Sequence, residues 1–308
     1  MDKPGSKDLT MMRYKQGLIF TLMLLAAFYA LAQDKGFKEE QLTDNGFDDR
    51  YASYNKAGEA IIFESNRDGH WQIYSMDIDG QHQRRLINSA YNDRRPTWNP
   101  YGNMILFESD RNGVSDLFTY DLDTKELKKV PIPLKGNKTY GQFAPNGKEL
   151  IFNYKVGDNN FNIYMISLSG KRLKTIVNNA YANMYPRFSP SGDAILYFSG
   201  KHTNRKNDEV YARNMYNKDE VRLTRSPQNN YFASYSNSGT KIAYATSTEE
   251  GQSEIYIMNK DGKGVRQITF DHEISTLPNW SPQDFNLLMT TTRNGSFQIC
   301  RILLKEEL

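Results

Sequence analysis

Short apolar runs recur along most of this chain, each leading into a polar turn. They read AIIFES (60–65), MILFES (104–109), LIFNY (150–154), AILYFS (194–199), KIAYAT (241–246) and NLLMTT (286–291). Runs of this length, rich in β-branched and aromatic residues and bounded by Gly, Asn and Asp, predict strands. Apolar spacing of i, i+3, i+4 is hard to find beyond the N-terminus. An aromatic stands before each run: Tyr54, Trp98, Phe143, Phe188, Tyr235 and Trp280, at intervals of 44, 45, 45, 47 and 45 residues. Between aromatic and run lies a turn: NKAG, NPYG, APNG, SPSG, SNSG or SPQD. After the run come a polar hairpin, clearest in NRDG (66–69) and DRNG (110–113), and a strand centred on Tyr74, Phe118, Tyr164, Tyr211, Tyr256 or Cys300. A second turn and a fourth strand such as RRLIN, VRLTR or RQITF complete the unit. Four short antiparallel strands per repeat make one propeller blade, so six repeats predict an all-β, six-bladed β-propeller.

The last repeat stops after its third strand, ICRILL, whereas the segment Phe37–Asn45 (FKEEQLTDN) precedes the first repeat without a partner. It carries Leu42-Thr43, matching Leu223-Thr224 in a fourth strand. We therefore expect residues 37–45 to close blade six. Such closure removes an exposed sheet edge that would otherwise pair with other chains.

The 308 residues carry a formal net charge of +3 with both signs interspersed, which gives no footprint for nucleic acid. The run GLIFTLMLLAAFYALA (17–32), after Arg13 and Lys15, has the charged, apolar and A-x-A regions of a secretory signal peptide. Its 16 residues fall short of the ~20 that span a bilayer. Residues 1–32 are thus expected to leave by cleavage near Ala32, giving a periplasmic or secreted propeller, residues 33–308, without a membrane span. The lone Cys300 excludes an intramolecular disulfide and occupies the repeat's Tyr position, as a core filler would.

The segments PTWNPYGNMILFESDRNGVSDLF (96–118) and PNWSPQ (278–283) resemble the WD40-like (PD40) repeat of TolB-type propellers: P-x-W-S-P-D-G, an apolar strand, S-x-R-x-G, then I-Y. The resemblance covers residues 41–308. It implies the six-bladed fold and a role in an envelope system with a lipoprotein partner. The α/β domain that precedes the propeller in TolB proteins has no counterpart in the expected mature chain.

In a propeller the first strand of each blade lines the central channel, and alternate residues face opposite ways. The repeat aromatics should then pack between blades. The residues just before them (Ser53, Thr97, Gln142, Arg187, Ser234 and Asn279) should face the channel, together with Tyr51, Arg95, Tyr140 and Tyr185 two positions earlier. Asp49-Arg50, Asp93-Arg94, Lys138, Asn183 and Asn230-Tyr231, at the start of these strands, should form the lips of the channel mouth. Tyr faces with hydroxyl handles and charged lips suit a peptide or a sugar ring. The expected molecule is a non-catalytic, monomeric binding or scaffold propeller without cofactor or metal, recognising a protein or peptide, which the resemblance would make an envelope lipoprotein. The alternative is a glycan-active lyase or hydrolase using Asp49 or Asp93 with Arg95 or Arg187 and Tyr140 or Tyr185. The histidines His70, His82, His202 and His272 lie in loops without ligand spacing, and no nucleophile elbow is present.

Overall fold

A computed structural model describes residues 37–270 and 273–304; the expected signal peptide lies outside them. Six four-stranded antiparallel sheets follow one another along the chain, each ordered from an inner strand A to an outer strand D. The A strands are Asp49–Tyr54, Asp93–Trp98, Lys138–Phe143, Asn183–Phe188, Asn230–Tyr235 and Ser275–Trp280. The fold is the expected six-bladed propeller. None of the described elements is a helix long and apolar enough to cross a membrane.

Blade six takes strands A to C from residues 275–303 and its D strand, Lys38–Gln41, from the start of the propeller. Lys38 pairs with Leu303 and Gln41 with Cys300. Beyond the strand, the Leu42 N–H donates to Ile299 O at 2.8 Å, and Thr43 Oγ1 accepts the Ile299 N–H at 2.9 Å. The same Thr device recurs where Thr224 accepts from Val210 at 2.9 Å and Thr269 from Ile255 at 2.8 Å. The Leu-Thr likeness in the sequence therefore reported a shared hydrogen bond.

The cores lie between blades. One cluster joins Ile62, Ile73 and Ile87 of blade one to Ile105, Phe107 and Phe118 of blade two, with Trp98 against it. Another joins Leu42, Leu288 and Ile299 of blade six to Ile61, Phe63 and Tyr74 of blade one, with Tyr54 against it. The repeat aromatics are thus interblade wedges, as their period predicts. The Trp98 and Trp280 indoles also donate to the preceding blade, to Ser53 O at 3.1 Å and Ser234 O at 3.2 Å.

Gly80 shows how tight the closure is. Its φ is +85°, and a Cβ there would lie 2.5 Å from the Leu42 carbonyl oxygen. Gly80→Ala should cost roughly 1–3 kcal/mol, read as a lowered denaturant midpoint at unchanged slope. Unchanged stability would show that the seam between the closing segment and blade one yields freely.

Candidate functional site

The A strands do not run in simple alternation. Each is interrupted two residues after its start, where the register slips: in blade one Arg50 pairs with Glu64 but Ser53 pairs with Ile62. The residue at the slip has positive φ in all six blades: Tyr51 (57°), Arg95 (50°), Tyr140 (53°), Tyr185 (57°), Phe232 (54°) and Leu277 (54°). None is glycine, and a non-glycine residue in this region costs roughly 1–2 kcal/mol. Three of the six are held by a polar side chain from strand B of the blade before. Glu64 accepts the Arg95 N–H at 2.6 Å, Glu108 the Tyr140 N–H at 2.6 Å, and Asn153 the Tyr185 N–H at 2.9 Å. These are the polar residues inside otherwise apolar runs.

The bulges aim their side chains at the axis. The Tyr51 and Tyr140 rings, two blades apart, lie 6.4 Å centroid to centroid. The Arg95 guanidinium sits 5.5 Å and 4.5 Å from those rings and pairs with Glu108 at 2.6 Å. Tyr140 meets Tyr185 at 5.6 Å, and Tyr185 meets Phe232 at 5.0 Å. These contacts narrow the channel at one level. Burial pushes the Tyr51 phenol well above its ordinary pKa, with the Tyr140 phenol adding to it. Burial opposes the Arg95 charge, but Glu108 and the flanking phenols outweigh it and raise its pKa. Glu64, fully buried, is raised by desolvation against the pull of Arg50 and Arg95.

On the side of the A–B turns, a cavity of about 600 Å³ opens. Its rim comes from the turns of all six blades, including Asn55, Pro100, Pro145, Pro190, Asn237 and Pro282. Its walls hold five of the six polar positions expected to face the channel, Ser53, Thr97, Gln142, Arg187 and Asn279, and all six repeat aromatics. The sixth, Ser234, is absent from the lining, and its buried hydroxyl donates to Pro278 O at 2.8 Å. Tyr51, Arg95, Tyr185 and Leu277 line its deep end. Among the described residues that line it there are three cations, Lys56, Arg95 and Arg187, and no Asp, Glu or His.

The residues expected at the lips lie at the other end of the A strands, and the first residue of each strand is buried. Asp49 accepts two hydrogen bonds from Arg67, at 3.1 and 3.0 Å, and Asp93 two from Arg111, at 2.9 and 3.0 Å. Each of these arginines also gives its Nε to a serine two residues earlier, Ser65 or Ser109, at 2.8 Å. The S-x-R-x-G motif is therefore a bracket tying the B–C hairpin to strand A. In blade three the strand opens with a cation instead, and Lys138 pairs with Asp116, the first residue of strand C in blade two, so this contact crosses between blades. Asn183 donates to Asn179 and the Phe161 and Tyr181 carbonyls, and Asn230 to Ser226, Glu209 and Gln228 O.

Arg50, Arg94 and Tyr231 remain partly open at that end. Arg50 stacks 3.9 Å from the Trp71 ring and pairs with Glu64 at 2.9 Å, while Arg94 lies 5.5 Å from the same ring. Tyr231 packs on Phe232 at 5.0 Å and Phe198 at 6.3 Å. The structure thus brings Tyr51, Arg95, Tyr185 and Arg187 into one cavity and sets Arg50, Arg94 and Tyr231 apart from it. Trp71 was not singled out in the sequence, since its place in the B–C loop falls outside the repeat's aromatic pattern.

A family model described as the TolB beta propeller domain matches residues 52–206 and 156–307, which together span most of the chain. The chain belongs to that family. Among solved TolB structures, that of Acinetobacter baumannii aligns with a TM-score of 0.63 at 20% identity, over 85% of this chain and 65% of that one. The chain thus spans about two thirds of that TolB protein. A putative TolB from Agrobacterium tumefaciens aligns with a TM-score of 0.69 at 15% identity, over 86% of this chain and 93% of that one. The same TolB-like propeller fold is shared with an oligogalacturonate lyase from Vibrio parahaemolyticus, at a TM-score of 0.58 and 13% identity, over 88% of this chain and 94% of that one. At such identities the likeness speaks for the fold alone.

Proposed function

We propose that this TolB-family propeller is a non-catalytic binding or scaffold protein of the periplasm or cell exterior, receiving a protein or peptide partner in its channel. The observation that carries this reading is the cavity among the A–B turns. It is concave, in the size range of ligand sites, and walled by aromatic rings with a few polar groups. Its lining offers hydrogen bonds, ring faces and positive charge, which suit recognition. The carboxylate pair that glycoside hydrolysis uses has no members among that lining. Asp49 and Asp93, which a glycan-active enzyme would draw on, are each engaged by an arginine of their own blade.

Asn279→Trp, which fills the cavity from its wall, should abolish partner capture from envelope extract read by mass spectrometry. Arg50→Ala/Arg94→Ala, at the opposite end, should leave it intact. Capture that survives the first variant and is lost with the second would place the partner on the Trp71 side. Turnover of any member of an oligosaccharide panel would overturn the non-catalytic reading.

A further inference from the structure

Buried and half-buried arginines in this protein are paired with carboxylates almost without exception. Arg50 meets Glu64, Arg67 meets Asp49, Arg95 meets Glu108, Arg111 meets Asp93, and Arg222 meets Glu209. Arg94, half-buried beside Trp71, and Arg187 depart from this rule, and of the two only Arg187 lines the cavity. Arg187 is only 9% exposed, yet no carboxylate among the described residues pairs with it. Its guanidinium lies 3.7 Å from the Tyr185 ring centre, and its one hydrogen bond there goes from Nη1 to Pro186 O at 3.0 Å. A guanidinium has five N–H donors, so most of its capacity stays open to the cavity it lines.

The repeat sharpens the point. The five equivalent positions carry Ser53, Thr97, Gln142, Ser234 and Asn279, all neutral. The Ser53 hydroxyl is also buried without a hydrogen-bond partner. Isolated buried charges are costly, and an arginine fork matches the two oxygens of a carboxylate. The deep end narrows where Tyr51, Arg95 and Tyr140 crowd the axis. A pocket that narrows in this way admits a chain end more readily than a loop passing through.

We infer that Arg187 anchors the C-terminal carboxylate of a polypeptide inserted through the A–B turn face, with Tyr185 fixing the guanidinium and Ser53 open to a further polar contact. The inference rests on the reading of the cavity as the partner site and names the chemistry of what enters it.

The test uses two pools of N-acetylated random heptapeptides, one with free C-terminal acids and one with C-terminal amides. Binding is read by affinity selection and by the fluorescence of Trp98 and Trp280, which line the cavity, in a Trp71→Phe background. The free-acid pool should bind at least about tenfold tighter than the amide pool, the step expected from losing a charge-assisted, bidentate contact. Arg187→Gln should remove that preference and Arg187→Lys restore part of it, with melting curves confirming folding. Equal binding of acid and amide pools to the wild type overturns the anchor while leaving the cavity as a peptide site, and so does a preference that persists in Arg187→Gln. Binding of neither pool, or of galacturonate oligomers alone, overturns the peptide reading together with the anchor. Should Arg187→Gln fail to fold, the acid-against-amide comparison on the wild type decides alone.

Discussion

A chain beginning at Gly46 should melt about 10–20 °C below one beginning at Gln33, or be recovered only as aggregate. The truncation removes the D strand of blade six and with it every hydrogen bond that segment gives to the strand Ser296–Leu303. It also uncovers Leu288 and Ile299, which are fully buried beside Leu42. Leu42→Ala alone should cost about 2–5 kcal/mol, the range for a buried leucine emptied to a cavity. The ion pairs of the seam matter far less. Glu39 with Arg293 and Glu40 with Arg301 are partly exposed, so a double Glu39→Ala/Glu40→Ala change should cost roughly 1 kcal/mol or less. Thermal melts of the three variants would separate burial from charge as the cause of closure. A truncated chain that melts within a few degrees of its parent would mean that the ring is held by the blade interfaces without its seal.

Most of this architecture was legible because its causes are periodic. Aromatics every 45 residues or so mark interblade wedges, and Leu42-Thr43 could be matched to Leu223-Thr224 because both make the same bond to a neighbouring C strand. The channel was harder to read. Straight alternation rightly placed Ser53, Thr97, Gln142, Arg187 and Asn279 on the cavity wall. It gave no hint of the positive-φ bulge at Tyr51 and its equivalents, because no glycine marks that position. The sign was there in another form: Glu64, Glu108 and Asn153 are polar residues within apolar runs, and a buried acceptor in such a run needs a donor. Their donors are the bulge N–H groups of the next blade. The role of Asp49 and Asp93 was equally hidden. An acidic residue opening an inner strand looks like a lip of the mouth until the arginine of the following hairpin is seen to fold back onto it.

That bracket predicts the other large effect. Asp93 is fully buried, and both its oxygens take hydrogen bonds from Arg111, whose side chain is 15% exposed and lies 4.6 Å from the Phe118 ring centre. Asp93→Ala should destabilise the protein by about 3–5 kcal/mol, because the guanidinium keeps its desolvation cost and loses its counter-charge. Replacing both partners, as Asp93→Ala/Arg111→Met, should recover a large part of the loss, since the apolar side chain can lie along Phe107 and Phe118 without a charge to satisfy. Denaturant unfolding of the two single variants and the double one completes the cycle. A double variant no more stable than Asp93→Ala would show that the bracket's value lies in its hydrogen bonds and shape. A single Asp93→Ala costing under about 1 kcal/mol would show that water or a neighbouring acceptor replaces the carboxylate, and the S-x-R-x-G motif would need another explanation.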